Sequence, residues 1–366
     1  MKKMLFLAAV SAIALTSCVN EENFEGPKPQ AQAMRFDAPV MKQTRANVMG
    51  EITGVKYDAK EDFKVFCKIY KGSFAGWGTN TTDYFSTNGD VAKNMGGTSS
   101  YWATATTYSW PEGEYNLAFA AYSPAELTLA PTSVKHTANG LQIEGFKTET
   151  EAQKQYDLMY SDRVINKNET NDGQNAVPLV FRHALTSIVF SSEKLHNEVD
   201  YEIKSVTLTG SFIQEADFNQ NIVEADNLTS GTARWENKET ATAANYVPTN
   251  TPGFTPFKVP YGGPEQFTGG ESALLLIPQD VPGDAEVFIE YDKITQKGDG
   301  GVNIANHTAT IPLSNFKQAG GASISTWAMG KRYIYRISFG GVNNHIYFEP
   351  STENWVTEPT LIHVIE

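Results

Sequence analysis

The chain has 366 residues, room for two domains of ordinary size, and a formal charge of −13. So acidic a balance excludes nucleic acid or an anionic membrane surface as partner, because either would repel it. With only Cys18 and Cys67 present, and Cys18 assigned to the leader described next, no intramolecular disulfide forms and stability rests on burial.

The leader has three parts. Lys2 and Lys3 are a short positive region, Met4 to Leu15 is an apolar core too short for a permanent membrane helix, and Leu15-Thr16-Ser17-Cys18 ends it with small residues before a cysteine. This is the pattern of a lipoprotein signal over residues 1–17, cut before Cys18, whose thiol is then acylated with palmitate-class chains and held at a membrane. Loss of Lys2 and Lys3 takes the charge from −13 to −15. Residues 18–45 are Pro-, Gln- and Ala-rich and read as a tether or propeptide. Within it one short strand is predicted from Met34 to Val40, with Met34, Phe36, Ala38 and Val40 on one face. Thr44-Arg45-Ala46 then stands in a polar run, a site for an arginine-specific protease that would cut between Arg45 and Ala46.

From residue 46 onward period-two alternation dominates, and no amphipathic helix of any length is predicted. Val206 and Leu208; Ala285, Val287, Ile289 and Tyr291; Ala309, Ile311 and Leu313; and Tyr333, Tyr335, Ile337 and Phe339 each alternate with more polar neighbours or an opposite face. Short strands punctuated by Gly and Pro indicate β-sandwiches. The polar run Asn166 to Ala176 is the predicted domain boundary, giving one sandwich at 46–176 and a second at 177–366. Cys67, in Val65-Phe66-Cys67, is read as a buried, inert thiol. Thr249 to Gly270, rich in Pro and Gly, is expected to be an exposed loop carrying Phe254, Phe257, Tyr261 and Phe267.

No chemistry stands out. The six histidines form no HExxH or closely spaced ligand pair, and there is no nucleophile elbow or phosphate loop. Asn168 to Gly173 begins like a calcium loop, but the position for its closing carboxylate is Leu179. The reading is therefore a protein that is not an enzyme, with no catalytic residue, no metal and no cofactor. Tyr101-Trp102 and Tyr108-Ser109-Trp110 make an aromatic cluster; Trp102 and Trp110 are either a ligand platform or core and edge packing, with packing favoured.

The ordered set Asp157-Leu158-Met159-Tyr160-Ser161, Pro178-Leu179-Val180-Phe181-Arg182-His183-Ala184-Leu185-Thr186, Leu274-Leu275-Leu276-Ile277-Pro278-Gln279, Trp327, Gly330-Lys331-Arg332-Tyr333-Ile334-Tyr335 and Trp355, behind a lipobox and a Thr-Arg-Ala site, resembles the fimbrillin family of Bacteroidota, the subunits of type V pili. Glu21-Glu22 is similar to the surface-export signal of lipoproteins from that phylum. The resemblance implies an all-β chain of two tandem transthyretin-like β-sandwich domains. It also implies lipidation, transport to the outer membrane and cell surface, cleavage after Arg45 and a mature start at Ala46. In stalk fimbrillins that cut frees an N-terminal strand, here the one at Met34 to Val40, and a strand of another subunit takes its place. The tail Leu361-Ile362-His363-Val364-Ile365 is the candidate donor, or else completes the second domain's own sheet. The implied partners are other fimbrial subunits, the arginine-specific surface protease, and a host or bacterial surface ligand. Stalk and tip positions both stay open. The alternative is a surface-anchored lipoprotein that binds a glycan or host ligand and does not polymerise.

Overall fold

The computed structural model describes residues 33–38, 62–74, 77–78, 81–96, 101–127, 129–173, 175–221, 233–249, 254–269, 272–318, 322–340 and 346–354. Among these, the one α-helix is the turn Glu169–Asp172, begun by Asn168, whose Oδ1 accepts from the Asn171 N–H at 3.0 Å. Everything else regular is strand or 3-10 turn, as the alternation requires.

The first half is organised by one sheet. Its strands run in the order Val177–Pro178, Phe36–Asp37, Trp102–Thr104, Asp90–Asn94, Phe63–Lys71, Tyr115–Ser123, Met159–Ser161 and Phe181–His183. The first and last of these belong to the single segment 177–183, so the path returns to where it began and the sheet closes around a core. Phe63, Val65 and Cys67 point inward with Phe36, Trp102, Phe119 and Phe181. Phe66, Ala120 and Tyr122 point outward, as period two demands, onto a second sheet ordered Arg234–Glu236, Glu215–Asn219, Gly140–Lys147 and Ser133–Thr137. Both faces of the central pair are therefore covered, which is why Leu117 to Tyr122 reads as a continuous apolar run. Gln220 stitches the two sheets: its amide accepts from the Leu141 N–H at 2.8 Å and donates to the Ser161 carbonyl at 2.8 Å.

The second half is a sandwich. One sheet runs Glu265–Gln266, Thr186–Lys194, Lys331–Phe339, Ile346–Asn354, and the facing one Thr242–Tyr246, Asp200–Phe212, Glu286–Gln296, Val302–Pro312. The alternating sets predicted from the sequence meet between them: Val206, Leu208, Val287, Ile289, Ile311, Tyr335 and Ile337 share one buried cluster with Trp327. The Trp327 indole N–H donates to the Tyr335 hydroxyl at 2.9 Å, so the buried ring leaves no polar atom unpaired.

Two expectations change. The division drawn at 176/177 falls inside shared structure: 177–183 completes the first closed sheet, and Glu215–Asn219 with Arg234–Glu236 covers its outer face. The polar run that suggested a linker is a connection within the first half, where Val164–Lys167 pairs with Tyr115–Ser123 before the helical turn. Nor is 249–270 a free loop in its described part. Phe257–Lys258 pairs with Asp200–Phe212, and Phe257 stacks on Phe267 at 5.1 Å against the sandwich core. Tyr261 alone among its four aromatics is well exposed, at 58 %.

Candidate functional site

Residues 33–38 occupy a slot in the closed sheet, and strict alternation holds them there. Met34, Phe36 and Ala38 are buried while Ala33, Arg35 and Asp37 are exposed. Phe36 pairs antiparallel with Trp102 on one side and parallel with Val177 on the other. The backbone is tied on both flanks. The Met34 N–H donates to the Tyr108 carbonyl at 3.0 Å, and the N–H groups of Val177 and Leu179 donate to the Arg35 and Asp37 carbonyls at 2.7 Å each. Were the segment absent, these flanking groups and an apolar core would face water together.

The centre of the slot is an aromatic box. The Phe36 ring, with no exposed surface, meets Phe63, Phe85 and Phe119 edge-on, with centroids 6.2, 6.3 and 5.8 Å away. Edge-to-face geometry places the positive ring edge on the negative face, adding to simple burial. Tyr108 braces the box from outside: it stacks on Phe85 at 4.1 Å, and its hydroxyl donates to Asp90 at 2.9 Å. At the rim, the Arg35 guanidinium lies 4.8 Å from the centre of the Tyr101 ring, in cation–π contact.

The slot's far wall is made by the motif residues. Phe181, Arg182 and His183 pair with Ser161, Tyr160 and Met159, so two successive motifs are hydrogen-bonded neighbours. Their polar side chains close the seam. Arg182 donates to both oxygens of Asp162, at 2.6 and 2.9 Å, in a buried bidentate pair, and His183 Nδ1 lies 2.7 Å from Asp157. Burial opposes the guanidinium's charge, but the Asp162 carboxylate beside it outweighs that and raises the Arg182 pKa.

Trp102 and Trp110 do not form a platform. They are 1 % and 3 % exposed, with Trp102 against Phe63 and Trp110 against Phe119, so neither ring offers a face to a sugar and the packing alternative stands. Cys67 is buried in the same core, which pushes its thiol pKa up and leaves it protonated. Among the described residues no group of three His, Cys, Asp or Glu is placed to hold a metal. Met34, Phe36 and Ala38 share one buried face. Cys18, Val40, Arg45, Ala46 and the tail Leu361, Ile362, His363, Val364 and Ile365 lie outside the described residues. What the sequence reading missed is the box: Phe85 carried no motif, and Tyr108 was read as part of the Tyr101 to Trp110 cluster without its partners Phe85 and Asp90.

The whole is a closed sheet entered by an N-terminal strand and joined to a sandwich through Pro178 to Thr186. The family described as fimbrillin-like matches residues 44–355. The chain belongs to the fimbrillin-like family. Among solved structures, a fimbrial protein from Bacteroides vulgatus ATCC 8482 superposes with a TM-score of 0.60 at 17 % identity, covering 88 % of this chain and 99 % of its own. A proposed cell adhesion protein from Bacteroides ovatus ATCC 8483 superposes with a TM-score of 0.50 at 14 % identity, covering 90 % and 100 %. At these identities the likeness is one of fold. No curated protein sequence matches the chain.

Proposed function

We propose that this fimbrillin-like chain is a structural subunit, stalk or tip, of an adhesive fimbria on the cell surface. In this reading it is exported as a lipoprotein acylated on Cys18 and cut between Arg45 and Ala46 by an arginine-specific protease. The cut frees the strand bearing Met34, Phe36 and Ala38, and a strand of another subunit fills the slot. The observation that carries the reading is that this strand, N-terminal to Arg45, is buried in the core and paired on both sides. Before the cut the slot is blocked by the chain itself. After it, a donated strand satisfies the open backbone groups and the apolar core at once, and head-to-tail filling builds a filament because it does not close on itself.

The test is Arg45→Ala in the native host. The expected result is a full-length, lipidated subunit that stays in the membrane fraction and is missing from sheared filaments, while the parent protein in those filaments begins at Ala46 by intact mass. Filaments of normal length built from the variant would end the processing scheme. The non-polymerising alternative, a lipoprotein binding a glycan or host ligand, draws no support from Trp102 and Trp110, whose rings are buried.

A further inference from the structure

The slot does more than accept any extended apolar segment; its central site is shaped for one kind of side chain. Phe36 is enclosed by three other phenylalanine rings, all edge-on to it, at centroid separations of 5.8 to 6.3 Å. Those rings are fixed from behind. Phe63 packs on Phe181 at 5.2 Å, and Phe85 is held by Tyr108, itself bonded to Asp90. A wall locked by packing and a hydrogen bond does not collapse around a smaller guest, so an aliphatic side chain there leaves a void. The neighbouring positions add to the pattern: a small residue at Ala38, 1 % exposed, and a cation at Arg35 over the Tyr101 ring.

We propose that the vacated slot selects a donor strand with an aromatic residue at the place of Phe36 and a Lys or Arg immediately before it. It therefore takes a strand from a different subunit rather than the tail of a second copy of this chain. The tail Thr360-Leu361-Ile362-His363-Val364-Ile365-Glu366 fits in neither face register. One face brings Leu361, His363 or Ile365 into the box, an aliphatic chain or a polar imidazole among phenylalanine rings, with no Lys or Arg before any of them. The other face brings Ile362 or Val364 into the box, at least three carbons short of a phenylalanine side chain, with no Lys or Arg before either. This inference rests on the strand-replacement reading above and asks which strand replaces.

The full chain carrying a specific protease site at Arg45 is cut, the protease is quenched, and synthetic peptides are offered in trans. Binding is read by release of the original fragment in mass spectrometry and by the fluorescence of Trp102, which pairs with Phe36 in the slot. The peptides are residues 33–40, the same with Phe36→Leu, the same with Phe36→Ala, and residues 360–366. The native peptide is expected to exchange in, the Leu peptide to bind about tenfold more weakly and the Ala peptide about a hundredfold. The tail peptide should do no better than the Ala peptide. A tail or Leu peptide within about threefold of the native one would overturn the aromatic selection and leave strand replacement intact. If the native peptide itself does not exchange into the cut protein, strand replacement fails and this inference fails with it.

Discussion

At the scale of single residues, His136 is the most exacting side chain in the molecule. It is 5 % exposed, both ring nitrogens lack a hydrogen-bond partner, and the ring lies against Trp77 at 5.4 Å. Burial, with the positive charges of Lys68 and Arg163 adding to it, pulls its pKa from 6.5 down to about 3. The folded protein keeps the ring neutral while the unfolded chain takes up a proton below its ordinary pKa. Stability is therefore full above pH 6.5 and falls as pH drops toward 3, by at most about 1.4 kcal/mol per pH unit. His136→Leu should remove that slope. Urea midpoints at pH 8 are expected to change little, whereas at pH 5 the variant should gain about 2 kcal/mol over the parent. Equal effects at the two pH values would show that the ring is not kept neutral by burial.

At the scale of elements, the segment 177–183 governs the first half, because it pairs with Phe36–Asp37 at one end and Met159–Ser161 at the other. Its buried Arg182–Asp162 pair is costly to break from one side. Arg182→Leu strands a carboxylate in the core and is expected to destabilise by about 3–5 kcal/mol in chemical denaturation, and Arg182→Leu with Asp162→Leu together should recover part of that loss. Additive losses in the double variant would mean that the two groups act independently. Much of this element was readable beforehand. Leu179 and Phe181 lie two apart and enter the same core, and the strict alternation of Met34, Phe36 and Ala38 gave the inserted strand its face. Its neighbours could not be read. Parallel pairing with Val177 joins residues some 140 positions apart, and no local pattern encodes a pairing at that separation. The boundary misled for a related reason: a polar run marks a turn, and a turn does not say whether the next strand stays in the same sheet.

At the scale of the whole molecule, the inserted strand is a small part of the chain with a large share of the first core. Burying a Phe and a Met side chain is worth about 1.5–3 kcal/mol each. A chain produced from Ala46 onward is therefore expected to melt about 10 °C lower than one that keeps residues 19–45, given a shift of about 2–4 °C per kcal/mol in domains of this size. It should also associate with increasing concentration, and the peptide of residues 33–40 should restore its melting point. A monomer with unchanged melting temperature in calorimetry would show that the strand adds nothing to the core. The two halves are also joined without a spacer: His183 still pairs in the closed sheet, and Thr186–Lys194 already belongs to the sandwich.

The orientation of the slot bears on how an assembly built by the proposed strand replacement would carry force. Whatever strand lies between Trp102 and Val177 runs beside Val177–Pro178, and that segment leads through Phe181–His183 and the bend at Leu185 into Thr186–Lys194 and hence into the rest of the subunit. A pull along that strand loads its hydrogen bonds on both flanks in parallel, as shear, instead of peeling them one at a time. Under the proposed strand replacement, the joint should then resist tension along the strand far better than its few residues suggest, and should still release when pried sideways.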